Sequence, residues 1–164
     1  MTVRLIPMPV DRLPEWIEER HRQYLAQRMR AGETEEVARE RAERSRAENF
    51  PGGRPLDTHL VFDVVDGLDG HDGHDGDTVV GHLWLGPLTA GSTDWWVNDV
   101  LIAEEFRRRG LARRALELGE AEVARMGGTT IGLNVFGYNT GAKELYDSLG
   151  YTVTATQMRK SAGV

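Results

Sequence analysis

The chain has 164 residues, a formal net charge of −6 and no cysteine. That length suits one domain over 1–164 with a substantial core, and the missing cysteines exclude disulfides and thiolate metal sites and give no support to secretion. No apolar run approaches the ~20 residues of a membrane span and the start lacks a signal segment, so a cytoplasmic protein with no membrane partner is expected, and the net acidity argues against general nucleic-acid binding.

Val3-Arg4-Leu5-Ile6 reads as a short first strand closed by Pro7 and Pro9. Asp11 is expected to cap a helix beginning near Arg12, with Pro14 in its first turn, an apolar face of Leu13, Trp16, Ile17, Tyr24, Leu25 and Met29, and Gly32 at its end. A second helix from about Thr34 to Asn49 offers only Val37, Ala38, Ala42 and Ala47 for burial. It is expected to be peripheral: a wall or lid, a dimer contact or a plain solvated helix.

His59 to Val65 and Thr78 to Leu85 read as paired strands. Their connection contains His71-Asp72-Gly73 and His74-Asp75-Gly76. Histidine and aspartate are metal ligands, but a glycine every third residue fixes no geometry, so a flexible hairpin loop over 71–77 and no metal are expected. Between Arg54 and Arg107 there is no lysine or arginine, while Asp57, Asp63, Asp94, Asp99, Glu104 and Glu105 fall there with the loop aspartates. An acidic segment followed by a basic turn suits an enzyme that holds an anionic cofactor at one end of a cleft and a cationic amine at the other; acidic solubilising loops are the plain alternative.

Asp94-Trp95-Trp96 opens a β-branched, apolar strand running to Ile102, with the two tryptophans on opposite faces. Arg107 to Gly110 then forms a tight basic turn into a helix with the apolar stripe Ala112, Leu116, Gly119, Val123 and Met126, stopped at Gly127-Gly128. The first amides of that helix lack internal partners and point into the turn. Gly110 lets phosphate oxygens approach, and Arg107, Arg108, Arg109, Arg113 and Arg114 add positive charge, which implies diphosphate binding; a solvated basic helix start is the alternative. Asn139 is placed to cap a helix from about Thr140 to Leu149 that buries Ala142, Leu145 and Leu149. Tyr151 to Met158 alternates as a final strand, followed by a tail at 161–164.

Arg107-x-x-Gly110-x-Ala112, with Leu133-Asn134-Val135-Phe136, Asn139, Ala142, Leu145-Tyr146 and Gly150-Tyr151 downstream, resembles the Gcn5-related N-acetyltransferases over roughly Thr78 to Arg159. The resemblance implies an α+β fold layered α/β/α, with a mixed, mostly antiparallel sheet of about six to seven strands, a splayed central pair and about four helices. It implies acetyl-CoA as co-substrate, held at Arg107, Arg108, Arg109, Gly110, Leu111, Ala112 and Arg113, with Asn139 bonding the cofactor arm and a backbone amide of Leu101 or Ile102 stabilising the oxyanion. The acceptor is expected to be a primary amine of a small molecule or peptide, with Trp96 and Asn98 at its pocket.

Acyl transfer to an amine requires a proton acceptor, an oxyanion donor and an acid for the thiolate, and needs no covalent enzyme intermediate. Relatives often carry glutamate where this chain has Asn98, so Asp99 is the expected base, directly or through water; a structural aspartate bonded to amides is its alternative role. Tyr146 is the expected acid, because a phenol and a departing thiol have similar proton affinities. A non-catalytic acyl-CoA-binding module and a nucleic-acid-binding protein using Arg107 to Arg114 are the competing functions, and the sequence leaves a homodimer open.

Overall fold

A computed structural model of the chain describes residues 2–67 and 76–163. The elements run β1 (Thr2–Pro7), α1 (Leu13–Arg30), α2 (Glu35–Asn49), β2 (Leu60–Gly67), β3 (Thr78–Pro87), β4 (Asp94–Ile102), α3 (Leu111–Arg125), β5 (Thr130–Leu133) and α4 (Thr140–Ser148). The strands form one sheet in sequence order. β1 to β4 are antiparallel to their neighbours, and β5 joins β4 in parallel. This is the α+β fold that the resemblance implies, with four helices and a slightly smaller sheet.

Side-chain alternation along β3 sorts the core into two faces. Leu83 and Leu85 pack with Trp95, Val97 and the α3 residues Leu111, Ala115, Leu116 and Val123. Gly119 brings α3 close, since a Cβ there would lie 2.7 Å from Leu83 Cδ2. On the other face Trp84 packs with Met8, Trp16, Ile17 and Phe50. Trp95 and Trp96 divide between the faces as alternation requires, Trp95 in the α3-side core and Trp96 lying against Gly132 of β5. Ala38 and Ala42 are the buried residues of α2, which otherwise presents exposed Arg39–Glu35 and Arg44–Glu40 pairs to solvent.

Three expectations are corrected. Asp11 does not cap α1: the capping position is Arg12, with no side-chain cap bond. Met126 is not on the buried stripe of α3 but 48% exposed past its end. Residues 151–163 carry no strand, so the described sheet has five strands rather than six to seven. Alternation marks Tyr151 to Met158 as competent to pair, but pairing also needs an edge within reach, and none is engaged.

The 71–77 loop lies outside the described residues apart from Gly76 and Asp77, and so does Val164 of the tail. Among the described residues, no helix is long and apolar enough to cross a membrane.

Candidate active site

β4 is longer than its parallel partner. β5 pairs with Asp94 to Val97 only, while β3 follows β4 to Ile102, so the edge from Asn98 to Ile102 has no second strand among the described residues. The register to β3 slips by one residue, Trp84 facing Asp99 and Leu85 facing Val97, which leaves Asn98 as a bulge. Val97 and Val100 both join the α3-side core, so Asn98 and Asp99 fall together on the α1 side. Antiparallel pairing also fixes which amides face the gap. The Ala103 N–H donates to the Val80 carbonyl at 2.9 Å, so by alternation Leu101 turns its amide to β3 and Ile102 turns its own away.

The corner after β4 is built to stay open. Arg107 Nε donates to the Ile102 carbonyl at 2.9 Å, pinning the chain as it leaves the strand. Arg108 has φ of 63° and Gly110 has φ of 76°, both left-handed. For arginine that conformation costs about 1–3 kcal/mol, a strain that clusters at functional sites. A Cβ on Gly110 would meet nothing within 4 Å, so glycine is required by the backbone angle rather than by crowding. No side chain caps α3, whose first amides, beginning with Leu111, Ala112 and Arg113, therefore face the corner. Arg109 pairs with Asp66 at 2.9 Å and Arg113 Nη2 donates to Ser148 Oγ at 2.5 Å, tying the corner to β2 and α4.

Asp99 is the centre of a polar group on the α1 face. Its Oδ2 lies 2.8 Å from His82 Nε2 and 3.8 Å from Arg20 Nε, with the side chain 22% exposed. Burial pushes the carboxyl up, but the hydrogen bond and charge of His82, the Arg20 guanidinium and the Val100 amide outweigh it and hold Asp99 below its ordinary value. A carboxylate only accepts, so His82 Nε2–H donates to it, which leaves Nδ1 as the ring nitrogen not engaged with Asp99. Asp63 stands opposite His82 in the β2–β3 register and pairs with Arg12 at 2.5 Å. Burial raises the Asp63 carboxyl against the pull of Arg12 and His82. Arg20 itself is stacked over Trp84, 4.4 Å from the ring centre. His82, Leu101, Trp16, Arg12 and Arg20 line a cleft of about 390 Å³.

Tyr146 approaches from the opposite side, on α4. Asn139 caps that helix, its Oδ1 accepting from the Ala142 amide at 3.3 Å. Leu145, Tyr146 and Leu149 pack on the α3-side core. Burial raises the Tyr146 hydroxyl above its ordinary value and the nearby negative charge of Asp99 raises it further, so the phenol keeps its proton at neutral pH. Trp96 and Asn98 line a second cleft, of about 470 Å³, with Glu48, Asp57 and His59. His59 Nδ1 accepts from Trp84 Nε1 at 3.0 Å, and burial lowers its proton affinity.

The open edge of β4 thus has the corner at its C-terminal end and Trp96 and Asn98 at the other, with Asp99 on the α1 face and Tyr146 on α4 within range of its charge. Sequence reasoning missed His82 and Arg20. A histidine within the apolar run Val79 to Leu85, in step with Trp84, was the available signal for the first. The second sits on a helix in the segment outside the resemblance.

A model described as the acetyltransferase (GNAT) family matches residues 13–151, and the chain belongs to that family. The uncharacterized N-acetyltransferase YdgE of Bacillus subtilis (strain 168) is 29% identical over 129 residues, covering 77% of this chain and 76% of its own. YycN of the same organism, likewise named an uncharacterized N-acetyltransferase, is 24% identical over 162 residues, or 98% and 99% of the two chains. The crystal structure of YycN matches with a TM-score of 0.83 at 23% identity, over 99% of this chain and 100% of that one. AAC(6')-Iy, solved in complex with the bisubstrate analog CoA-S-monomethyl-acetylneamine, shares the fold at a TM-score of 0.57 and 13% identity over the full length of both chains.

Proposed function

We propose that the chain is an acetyl-CoA-dependent N-acetyltransferase that moves the acetyl group to a primary amine of a small molecule or peptide by direct attack. The observation that carries this reading is the continuity of two features: an edge of β4 unpaired among the described residues that runs into an uncapped, left-handed helix start at Gly110. A strand edge takes an extended arm as an added strand, and a helix start takes phosphate. The residues present therefore fit coenzyme A, which supplies the activated acetyl group. The amides from Gly110 to Arg113 hold the diphosphate, with Arg107, Arg108 and Arg109 adding charge around it. The Ile102 amide, rather than that of Leu101, donates to the carbonyl oxygen, and Asn139 contacts the arm from α4.

Two proton positions flank the open edge. His82 Nδ1 takes the proton of the amine, directly or through water, while Asp99 holds the ring in the required tautomer and stabilises its charged form. Tyr146 supplies a proton to the departing sulfur. Trp96, Asn98, Glu48 and Asp57, in the second cleft, hold the remainder of the acceptor, where the carboxylates favour further positive charge. No side chain in this arrangement needs to carry the acetyl group. A screen of amines, amino acids and peptides with acetyl-CoA, read by thiol release and by the mass of the acylated product, tests the proposal. Turnover with at least one primary amine is expected; coenzyme A binding with no thiol release across the screen contradicts it and leaves a binding module.

A further inference from the structure

The second cleft holds a histidine whose hydrogen-bonding role is fixed by its neighbours. Trp84 Nε1 lies 3.0 Å from His59 Nδ1. An indole N–H only donates, so Nδ1 is the bare nitrogen and the proton of the neutral ring sits on Nε2. The tryptophan is itself held by packing: it is 1% exposed, with the Arg20 guanidinium 4.4 Å from its ring centre and the Phe50 ring at 4.9 Å. A second proton on Nδ1 would break the bond to Trp84, and burial also lowers the proton affinity of the ring. His59 therefore stays a neutral donor.

The sheet makes room for that ring. His59 stands just before β2, and a Cβ on Gly86 of β3 would lie 2.4 Å from His59 Cδ2 and 2.5 Å from Nε2. Gly86 is not one of the glycines with positive φ, so the ring, and not the backbone angle, is what excludes a side chain there. Among the described residues Nε2 has no hydrogen-bond partner, although His59 lines the cleft of about 470 Å³ together with Glu48, Asp57 and Trp96. The carboxylates call for a cation, whereas a neutral N–H calls for an oxygen.

We infer that His59 is a specificity-determining residue: its Nε2–H donates to an oxygen of the acceptor, so the amines this chain prefers carry a hydroxyl, ether or carbonyl oxygen beyond the reacting nitrogen. This rests on the reading of the second cleft as the place of the acceptor. An acceptor without the oxygen leaves the donor unpaired in the complex, and the loss is that of one hydrogen bond at a half-buried group.

Steady-state kinetics on two matched pairs of acceptors tests this: cadaverine against its analogue with an ether oxygen for the central methylene, and lysine amide against its δ-hydroxy analogue. The quantity read is the ratio of kcat/KM, oxygenated over plain, compared between proteins so that the intrinsic difference between the amines cancels. In at least one pair His59→Phe is expected to lower this ratio about three- to tenfold. His59→Gln, which keeps an N–H near the place of Nε2, is expected to retain most of it, and Gly86→Ala, which pushes the ring aside, to lose it. Ring-nitrogen NMR of the full chain is expected to show His59 neutral with its proton on Nε2. A ratio unchanged in His59→Phe, an equal loss in His59→Gln, or a proton on Nδ1 overturns the inference. No thiol release with any of the four acceptors overturns it as well, and the wider amine screen then decides separately whether the transferase reading stands.

Discussion

His82 Nε2 lies 2.8 Å from Asp99 Oδ2, joining the middle of β3 to the bulged stretch of β4. The pair acts as one unit if the histidine takes the proton and the aspartate orients it. Removing either member then costs much the same. His82→Ala and Asp99→Asn are each expected to lower kcat by about 10²–10⁴-fold, and the double variant by little more than the worse single one. Steady-state kinetics on the three variants decide it; multiplicative losses would show that the two residues act separately.

Asp99 also makes a statement about stability. Its carboxyl is held below its ordinary value in the folded chain, so as pH falls the unfolded chain binds this proton first. The stabilisation is complete above the unfolded value near ~3.9 and is lost as pH drops through the lower folded value. Urea unfolding of the wild type and Asp99→Asn from about pH 6 downward is expected to give a stability gap that narrows on the acid side. A gap independent of pH contradicts the assigned environment.

Tyr146 is pushed the other way, by burial first and by the charge of Asp99 second. It remains a proton donor through neutral pH. Tyr146→Phe is expected to reduce turnover about tenfold or more while leaving coenzyme A affinity nearly unchanged. Parallel kinetics and calorimetry separate the two effects, and unchanged turnover removes the hydroxyl from the reaction.

Gly81 holds β3 and β4 in register beside the open edge. A Cβ there would sit 2.0 Å from the Leu101 carbonyl oxygen, a backbone atom that cannot swing aside. Gly81→Ala is expected to cost about 2–3 kcal/mol by forcing the strands apart. A denaturant midpoint within experimental error of the wild type would contradict this packing.

The parts of the fold that were legible in the sequence are those written in local chemistry. The α3 stripe at Leu116, Gly119 and Val123 and the Asn139 cap of α4 each follow from a few neighbouring residues and are found where the sequence put them, whereas the left-handed angle of Gly110 was not among its expectations. What depends on pairing between distant strands was not legible. His82 meets Asp99 only because β3 and β4 adopt one register with one bulge. The same register decides that Ile102 rather than Leu101 turns its amide to the gap. The final strand was misread for a related reason: the residues of 151–158 state that the segment can pair, not where its partner lies. Asp11 failed as a cap because Arg12 takes that position.

Coenzyme A binding at the Gly110 corner is measured directly by calorimetric titration of coenzyme A into the wild type and Gly110→Glu. Space around Gly110 is open, so the variant is expected to stay folded despite its strained backbone angle, while the added carboxylate blocks and repels the diphosphate. Saturable binding of one coenzyme A per chain that vanishes in the variant is the expected result. No heat with the wild type, or equal affinity in a folded variant, would contradict the placement of the cofactor and the reaction built on it.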